Sequence, residues 1–91
     1  MYYVYIIYSE KLHKRYIGRA EDLQERIRKH NSKHTGFTSD GAPWKLIFYQ
    51  AFLDKKDSID EEIFLKSGKG RERLKFLLKN LMKTINNGEV A

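Results

Sequence analysis

Cysteine is absent from all 91 residues. Neither a disulfide framework nor a cysteine-based zinc site can be built, which fits a reducing compartment and makes the cytoplasm the expected location. Long apolar runs are also missing. No stretch has the roughly 20 apolar residues that a membrane-spanning helix needs, and the apolar start, 1–8, lacks the positive flank of a signal peptide. No membrane partner is expected. Proline occurs once, as Pro43, and falls with Gly36 and Gly41 among polar residues over 31–43, the mark of a long loop. Acidic side chains are the scarcer charge. Twelve Asp and Glu face 18 Lys and Arg, a net +6 that attracts polyanions, nucleic acid first among them.

What is present suffices for one small core, since 41% hydrophobic and 13% aromatic residues are too many for a disordered chain. We expect one domain over 1–83 and a frayed C-terminal tail over 84–91. Residues 2–8 are β-branched and aromatic with both alternating faces apolar, so they predict a central strand. A polar turn leads to a short second strand over 15–18, antiparallel to the first. Asp22 caps a helix, with Glu25 completing a box-like arrangement and Leu23 and Ile27 marking the buried stripe. Residues 44–53 predict the third strand. Asp57 or Ser58 caps the next helix, which turns Ile59 and Ile63 inward and stops at 67–70. A last helix begins near Arg71, with Leu74, Leu77, Leu78 and Leu81 at helical spacing. This order predicts an α+β domain: a three-stranded, mainly antiparallel sheet flanked by helices.

Few residues carry specific chemistry. Tyr5 and Tyr16 lie close in such a hairpin, although strands favour tyrosine in any case. Arg26 and His30, four apart, share one side of a helix beside the Leu23/Ile27 stripe. A guanidinium there can hold a phosphate oxygen and offset charge growing in a transition state. An imidazole of ordinary pKa near 6.5 suits proton transfer. The plainer alternatives are a solvated arginine and a histidine stabilised by the helix dipole. Glu62 sits at the margin of the buried face, where a carboxylate needs something positive. A divalent cation holding one or two carboxylates and several waters is one answer; Lys66 at i+4 is the other. Glu61 is expected to point further outward. Lys66, Lys69, Arg71, Arg73, Lys75 and Lys79 form a basic run that, with the amides of Gly68 and Gly70, can follow a nucleic-acid backbone or serve as a soluble helix face. Gly68-Lys69-Gly70 lacks the spacing and the preceding strand of a P-loop.

The ordered set Tyr3-Val4-Tyr5, Tyr16-Ile17-Gly18, Arg26, His30 and Glu62 resembles the GIY-YIG nuclease family, in particular its small single-domain members, and so the nuclease domain of excision-repair and homing endonucleases. Ten residues separate the two tyrosines. The second motif is intact, while the first keeps only its tyrosine. The resemblance implies a metal-dependent endonuclease that hydrolyses phosphodiester bonds in nucleic acid, DNA ahead of RNA, with a place in DNA repair. It implies catalytic roles for Tyr5, Tyr16, Arg26, His30 and Glu62, phosphate binding by Arg19, and Mg²⁺ or Mn²⁺ held by Glu62. Which tyrosine meets the attacking water stays open. The rival is a non-catalytic nucleic-acid-binding module on the same fold. A protein-docking domain using Phe37, Trp44 and the loop leaves the ordered set unexplained.

Overall fold

The first strand, β1 (Tyr2–Ser9), runs through the middle of the molecule because its side chains are apolar on both faces. Val4, Ile6 and Ile7 are fully buried and Tyr5 is 1% exposed, each such aliphatic burial contributing about 1.5–3 kcal/mol. The computed structural model describes residues 1–32 and 40–86. In it β1 pairs antiparallel with β2 (Lys14–Ala20) on one side and with β3 (Trp44–Phe52) on the other, in the order β2-β1-β3. The expected α+β fold with a three-stranded antiparallel sheet is what forms. β2 is longer than 15–18, since Gly18 lies inside the strand and does not end it.

Helices cover both faces. Tyr5, Ile7, Ala20 and Trp44 pack against Leu23 and Ile27 of α1 (Leu23–His30). Val4 and Ile6 face the opposite way, onto Leu65, Leu74 and Leu78, which α2 (Lys55–Leu65), α3 (Gly68–Leu77) and the α3–α4 junction supply before α4 (Lys79–Asn86). The alternation of strand side chains thus makes two cores from one strand.

The helix ends differ from expectation in instructive ways. Asp22 accepts from the Glu25 amide at 3.1 Å, but the Glu25 carboxylate turns to Arg28, at 2.9 and 2.6 Å, so only half of the box forms. The cap of α2 is Asp54, which accepts from the Lys56 and Asp57 amides, instead of Asp57 or Ser58. Ser58 is fully buried and donates to the Lys55 carbonyl at 2.6 Å. Ile63 is not inward: it is 65% exposed. The sheet is met by Ser58, Glu61, Glu62 and Leu65, one i, i+3, i+4, i+7 face on which only Leu65 is apolar.

Residues 67–70 end α2 and at once begin α3, earlier than the Arg71 expected. Ser67 is its cap and accepts from the Gly70 amide at 3.2 Å. Gly70 lies where α3 crosses the end of α2, so close that an added Cβ would run into the backbone of Phe64 and Leu65. The leucine stripe is interrupted. The helix breaks at Leu78, leaving Leu77 42% exposed, while Leu74, Leu78, Met82 and Ile85 continue the packed line. Of the expected tail, 84–86 close α4, and 87–91 lie outside the described residues, as do Gly36 and Phe37 of the loop. Trp44 is 6% exposed and therefore offers no docking surface.

Candidate active site

Four elements deliver side chains to one place. β1 places Tyr5 directly opposite Gly18 of β2. The Tyr5 ring crosses the glycine so closely that a Cβ there would sit 2.5 Å from the hydroxyl oxygen and 2.9 Å from a Tyr16 ring carbon. The second motif ends in glycine because a tyrosine from the neighbouring strand occupies its side-chain space. Tyr16, two residues earlier on the same face, then stands beside Tyr5 with ring centroids 6.4 Å apart.

The α1 helix brings His30 down onto this pair from its last turn. His30 is 5% exposed, with Nε2 2.7 Å from the Tyr5 hydroxyl and its ring 4.9 Å from that of Tyr16. Asn31, the C-cap of α1, fixes that turn. Its side chain accepts from the Trp44 amide at 2.5 Å and donates to the Trp44 carbonyl at 3.2 Å, clamping the end of α1 to the start of β3. The Trp44 ring stands 6.5 Å from Tyr16. Sequence reasoning passed over Asn31, because a polar residue opening a long loop carries no local sign of a clamp to a strand thirteen residues on.

Arg26, one turn before His30, is exposed, and among the described residues it has no ion-pair partner. Its charge acts on both members of the buried pair. Burial, and then the Arg26 guanidinium, hold the His30 pKa below the ordinary imidazole value. Burial, then Tyr16, push the Tyr5 pKa well above the usual phenol range; Arg26 opposes and Glu62 adds to that rise. Tyr5 therefore keeps its proton beside a neutral imidazole, to which its hydroxyl is hydrogen-bonded.

Glu62 comes from the α2 face turned to the sheet and is 22% exposed. One carboxylate oxygen stands 3.7 Å from Arg19 Nε, and the other accepts from Lys66 at 3.1 Å. The Arg19 contact is too long for a hydrogen bond, and the Arg19 Nε–H is buried without an acceptor. Glu61 does not point outward as expected. It is 15% exposed and accepts from Gln50 of β3 at 2.6 Å and Arg73 of α3 at 2.8 Å, which fixes the rotation of α2 that aims Glu62 at β2. Among the described residues no group of three or more acidic or histidine side chains could hold a metal, so Glu62 offers a single hard carboxylate. That donor suits a cation that keeps most of its waters.

The basic run divides. Lys66 and Arg71 line a cleft beside β2, Arg73 is held by Glu61, and Lys79 lies 4.9 Å over the Phe76 ring. The Gly70 amide is committed to Ser67 and does not face solvent as a donor. No helix among the described residues is long and apolar enough to cross a membrane.

The description "GIY-YIG catalytic domain" matches residues 1–76. A UPF0213 protein of Streptococcus pneumoniae serotype 4 is 36% identical over 66 residues, covering 71% of this chain and 67% of its own. A protein of Pediococcus acidilactici named "UPF0213 protein in ldhD 5'region" is 32% identical over 69 residues, covering 71% and 69%. No solved structure matches.

Proposed function

The chain belongs to the GIY-YIG catalytic-domain family, and on that premise we propose that it is a divalent-metal-dependent endonuclease hydrolysing phosphodiester bonds in nucleic acid, with DNA ahead of RNA. One observation carries this reading. The Tyr5 hydroxyl is a meeting point: it bonds His30 beside the Tyr16 ring, and the charges of Arg26 and Glu62 act on it in opposite senses. Residues from β1, β2, α1 and α2 converge there, and a purely structural cluster has no need of an exposed arginine and an acidic residue at its mouth.

The two tyrosines take different parts. Tyr5 is almost wholly buried and its hydroxyl is bonded to His30, so it positions the imidazole. Tyr16 is the more exposed ring and is the one that meets the attacking water; as its phenolate it takes the water's proton while the water oxygen bonds to phosphorus and the bond to the leaving oxygen breaks. The Tyr16 hydroxyl first releases its own proton to solvent, a step that nearby positive charge favours. His30, packed against Tyr16, fixes that ring. Arg26 and the guanidinium of Arg19 hold non-bridging phosphate oxygens and stabilise the added negative charge of the five-coordinate transition state. Glu62 would hold Mg²⁺ or Mn²⁺, which when bound offsets charge on the leaving oxygen.

The rival, a nucleic-acid-binding module without catalysis, is favoured by the Glu62–Lys66 pair, which is how a plain helix-surface carboxylate behaves. Labelled DNA and RNA structures incubated with Mg²⁺, Mn²⁺ or EDTA decide between them. The expected result is cleavage with either metal, none with EDTA, and none by a folded Glu62→Gln protein that still binds. Binding without cleavage across the whole panel would sink the nuclease reading.

A further inference from the structure

The basic side chains of β2, α2 and α3 enclose a second feature. A cleft of ≈ 290 Å³ opens along the outer edge of β2, lined by Arg15, Tyr16, Ile17, Lys66, Arg71 and Leu74. Its chemistry is divided. Ile17 and Leu74 form an apolar floor that belongs to the core beneath. Arg15, Lys66 and Arg71 form a cationic rim, all three exposed. Among the described residues, Arg15 and Arg71 have no ion-pair partner. Lys66 is shared with Glu62, so the cleft adjoins the proposed metal carboxylate on one side and Tyr16 on the other. The wall is also polar: β2 is an edge strand, and every second backbone amide and carbonyl along it turns away from β1.

We propose that this cleft is a subsite for one unpaired nucleotide flanking the phosphate that is cut. Bare phosphate would need the cations but not the apolar floor. An apolar ligand would need the floor but not three cations. A nucleotide needs both, and the volume lies just below the range of about 300–1,000 Å³ typical of pockets for drug-sized ligands, which suits a single nucleotide. The base rests on Ile17 and Leu74 with its edge against the strand backbone. Its phosphates meet Arg15, Lys66 and Arg71. A base inside a duplex is stacked and cannot enter, so the substrate has an unpaired or displaced nucleotide beside the cut: a single strand, a flap or a gap. This deepens the proposed nuclease function and rests on it for the word "cut", but nucleotide binding is measured separately.

The test is methyl and amide NMR of the full chain titrated with a deoxynucleoside 5′-monophosphate, and with inorganic phosphate at matched ionic strength. The nucleotide should move the Ile17 and Leu74 methyl signals, and inorganic phosphate should not. Arg15→Ala and Arg71→Ala, both at exposed positions, should each weaken nucleotide binding about tenfold, while Lys56→Ala on the outer face of α2 leaves it unchanged. Identical shifts with both ligands, or none at Ile17 and Leu74, would overturn the subsite. On cleaved substrates, removing the base next to the cut should slow cleavage about tenfold or more, from lost stacking and apolar contact; an equal rate would also overturn it. Nucleotide binding in the cleft without cleavage of any nucleic acid leaves the subsite standing and removes the nuclease, whereas cleavage without such binding removes the subsite alone.

Discussion

A neutral tyrosine bonded to a neutral histidine is sensitive to pH from both sides. The His30 pKa lies below its ordinary value, first through burial and then through Arg26. Below about pH 6.5 the unfolded chain binds a proton that the folded chain resists, so stability is full above that pH and declines as pH falls toward the folded pKa. Tyr5 behaves in the opposite sense. Its pKa is raised, first by burial and then by Tyr16, so its contribution is full below about pH 10 and declines as the unfolded chain ionises above that. Urea-unfolding midpoints against pH should therefore fall at both ends. His30→Gln should flatten the acid arm and Tyr5→Phe the alkaline one. At neutral pH Tyr5→Phe should cost about 1–3 kcal/mol, because a buried hydrogen bond to His30 is lost; an unchanged midpoint would count against the bond. Lys66 offers a second test at this scale. It neutralises one oxygen of Glu62 in the free protein, and exposed pairs of this kind contribute about 0.2–1 kcal/mol. Lys66→Ala should tighten Mn²⁺ binding without nucleic acid up to about fivefold, read by electron spin resonance. Weaker binding would mean that Glu62 is not the metal's carboxylate.

Three glycines test how the elements meet. At Gly18 two aromatic rings occupy the space of a side chain. Gly18→Ala must displace Tyr5 and Tyr16, so we expect a loss of about 1–3 kcal/mol in stability and loss of cleavage together. At Gly70 the obstacle is the backbone of α2, which cannot move aside as a flexible side chain can. Gly70→Ala should destabilise by at least as much. Gly68 is the control, since nothing lies within 4 Å of its added Cβ. Gly68 opens α3 right after its cap, and replacing a glycine by alanine where the backbone allows it stabilises by up to about 0.4–1 kcal/mol through the unfolded chain, so Gly68→Ala should be neutral or stabilising. Thermal unfolding of the three proteins checks the order, and an equal cost at Gly68 and Gly70 would contradict the close crossing of α2 and α3.

At the scale of the whole molecule the +6 charge sets the range of attraction, but only some of it faces a substrate. Arg28, Lys45 and Arg73 are engaged with Glu25, Glu10 and Glu61. If Arg15, Arg19, Arg26, Lys66 and Arg71 are the cations that meet phosphates, the log–log salt slope for single-stranded nucleic acid should be no steeper than about −3.5, from about −0.7 per phosphate. Arg71→Ala should reduce it by about 0.7, and Lys56→Ala should leave it alone. Fluorescence anisotropy over a salt series measures both, and a slope insensitive to Arg71 would place the nucleic acid elsewhere. The two cores predict a second global property. Because β1 supplies both of them, Ile6→Val should cost about 0.5–1.5 kcal/mol and lower the urea midpoints of the active-site face and the α2–α3 face equally, as one cooperative transition followed by near-UV and far-UV circular dichroism.

What the sequence by itself determined is the part governed by neighbours along the chain. The tyrosine-rich strand, the hairpin to β2, the Asp22 cap and the stripe of Leu23 and Ile27 were legible because their partners lie within a few residues, or because a strand apolar on both faces has only a central place to go. The short connection likewise brought the two tyrosines close together in the hairpin. The tertiary structure decided the rest. Apolar periodicity reports burial only where the buried face is apolar, and α2 buries Ser58, Glu61, Glu62 and Leu65 while leaving Ile63 in solvent. It turns that face inward because the partners that neutralise it come from far away: Gln50 and Arg73 for Glu61, Arg19 for Glu62. The same is true of Asn31 and Trp44, and of the division of the basic run between a cleft and internal ion pairs. None of these pairings leaves a trace in local hydrophobicity or propensity. They exist because packing on both faces of β1 brings distant polar groups within reach, and burial then makes an unmatched charge or amide too costly to leave alone.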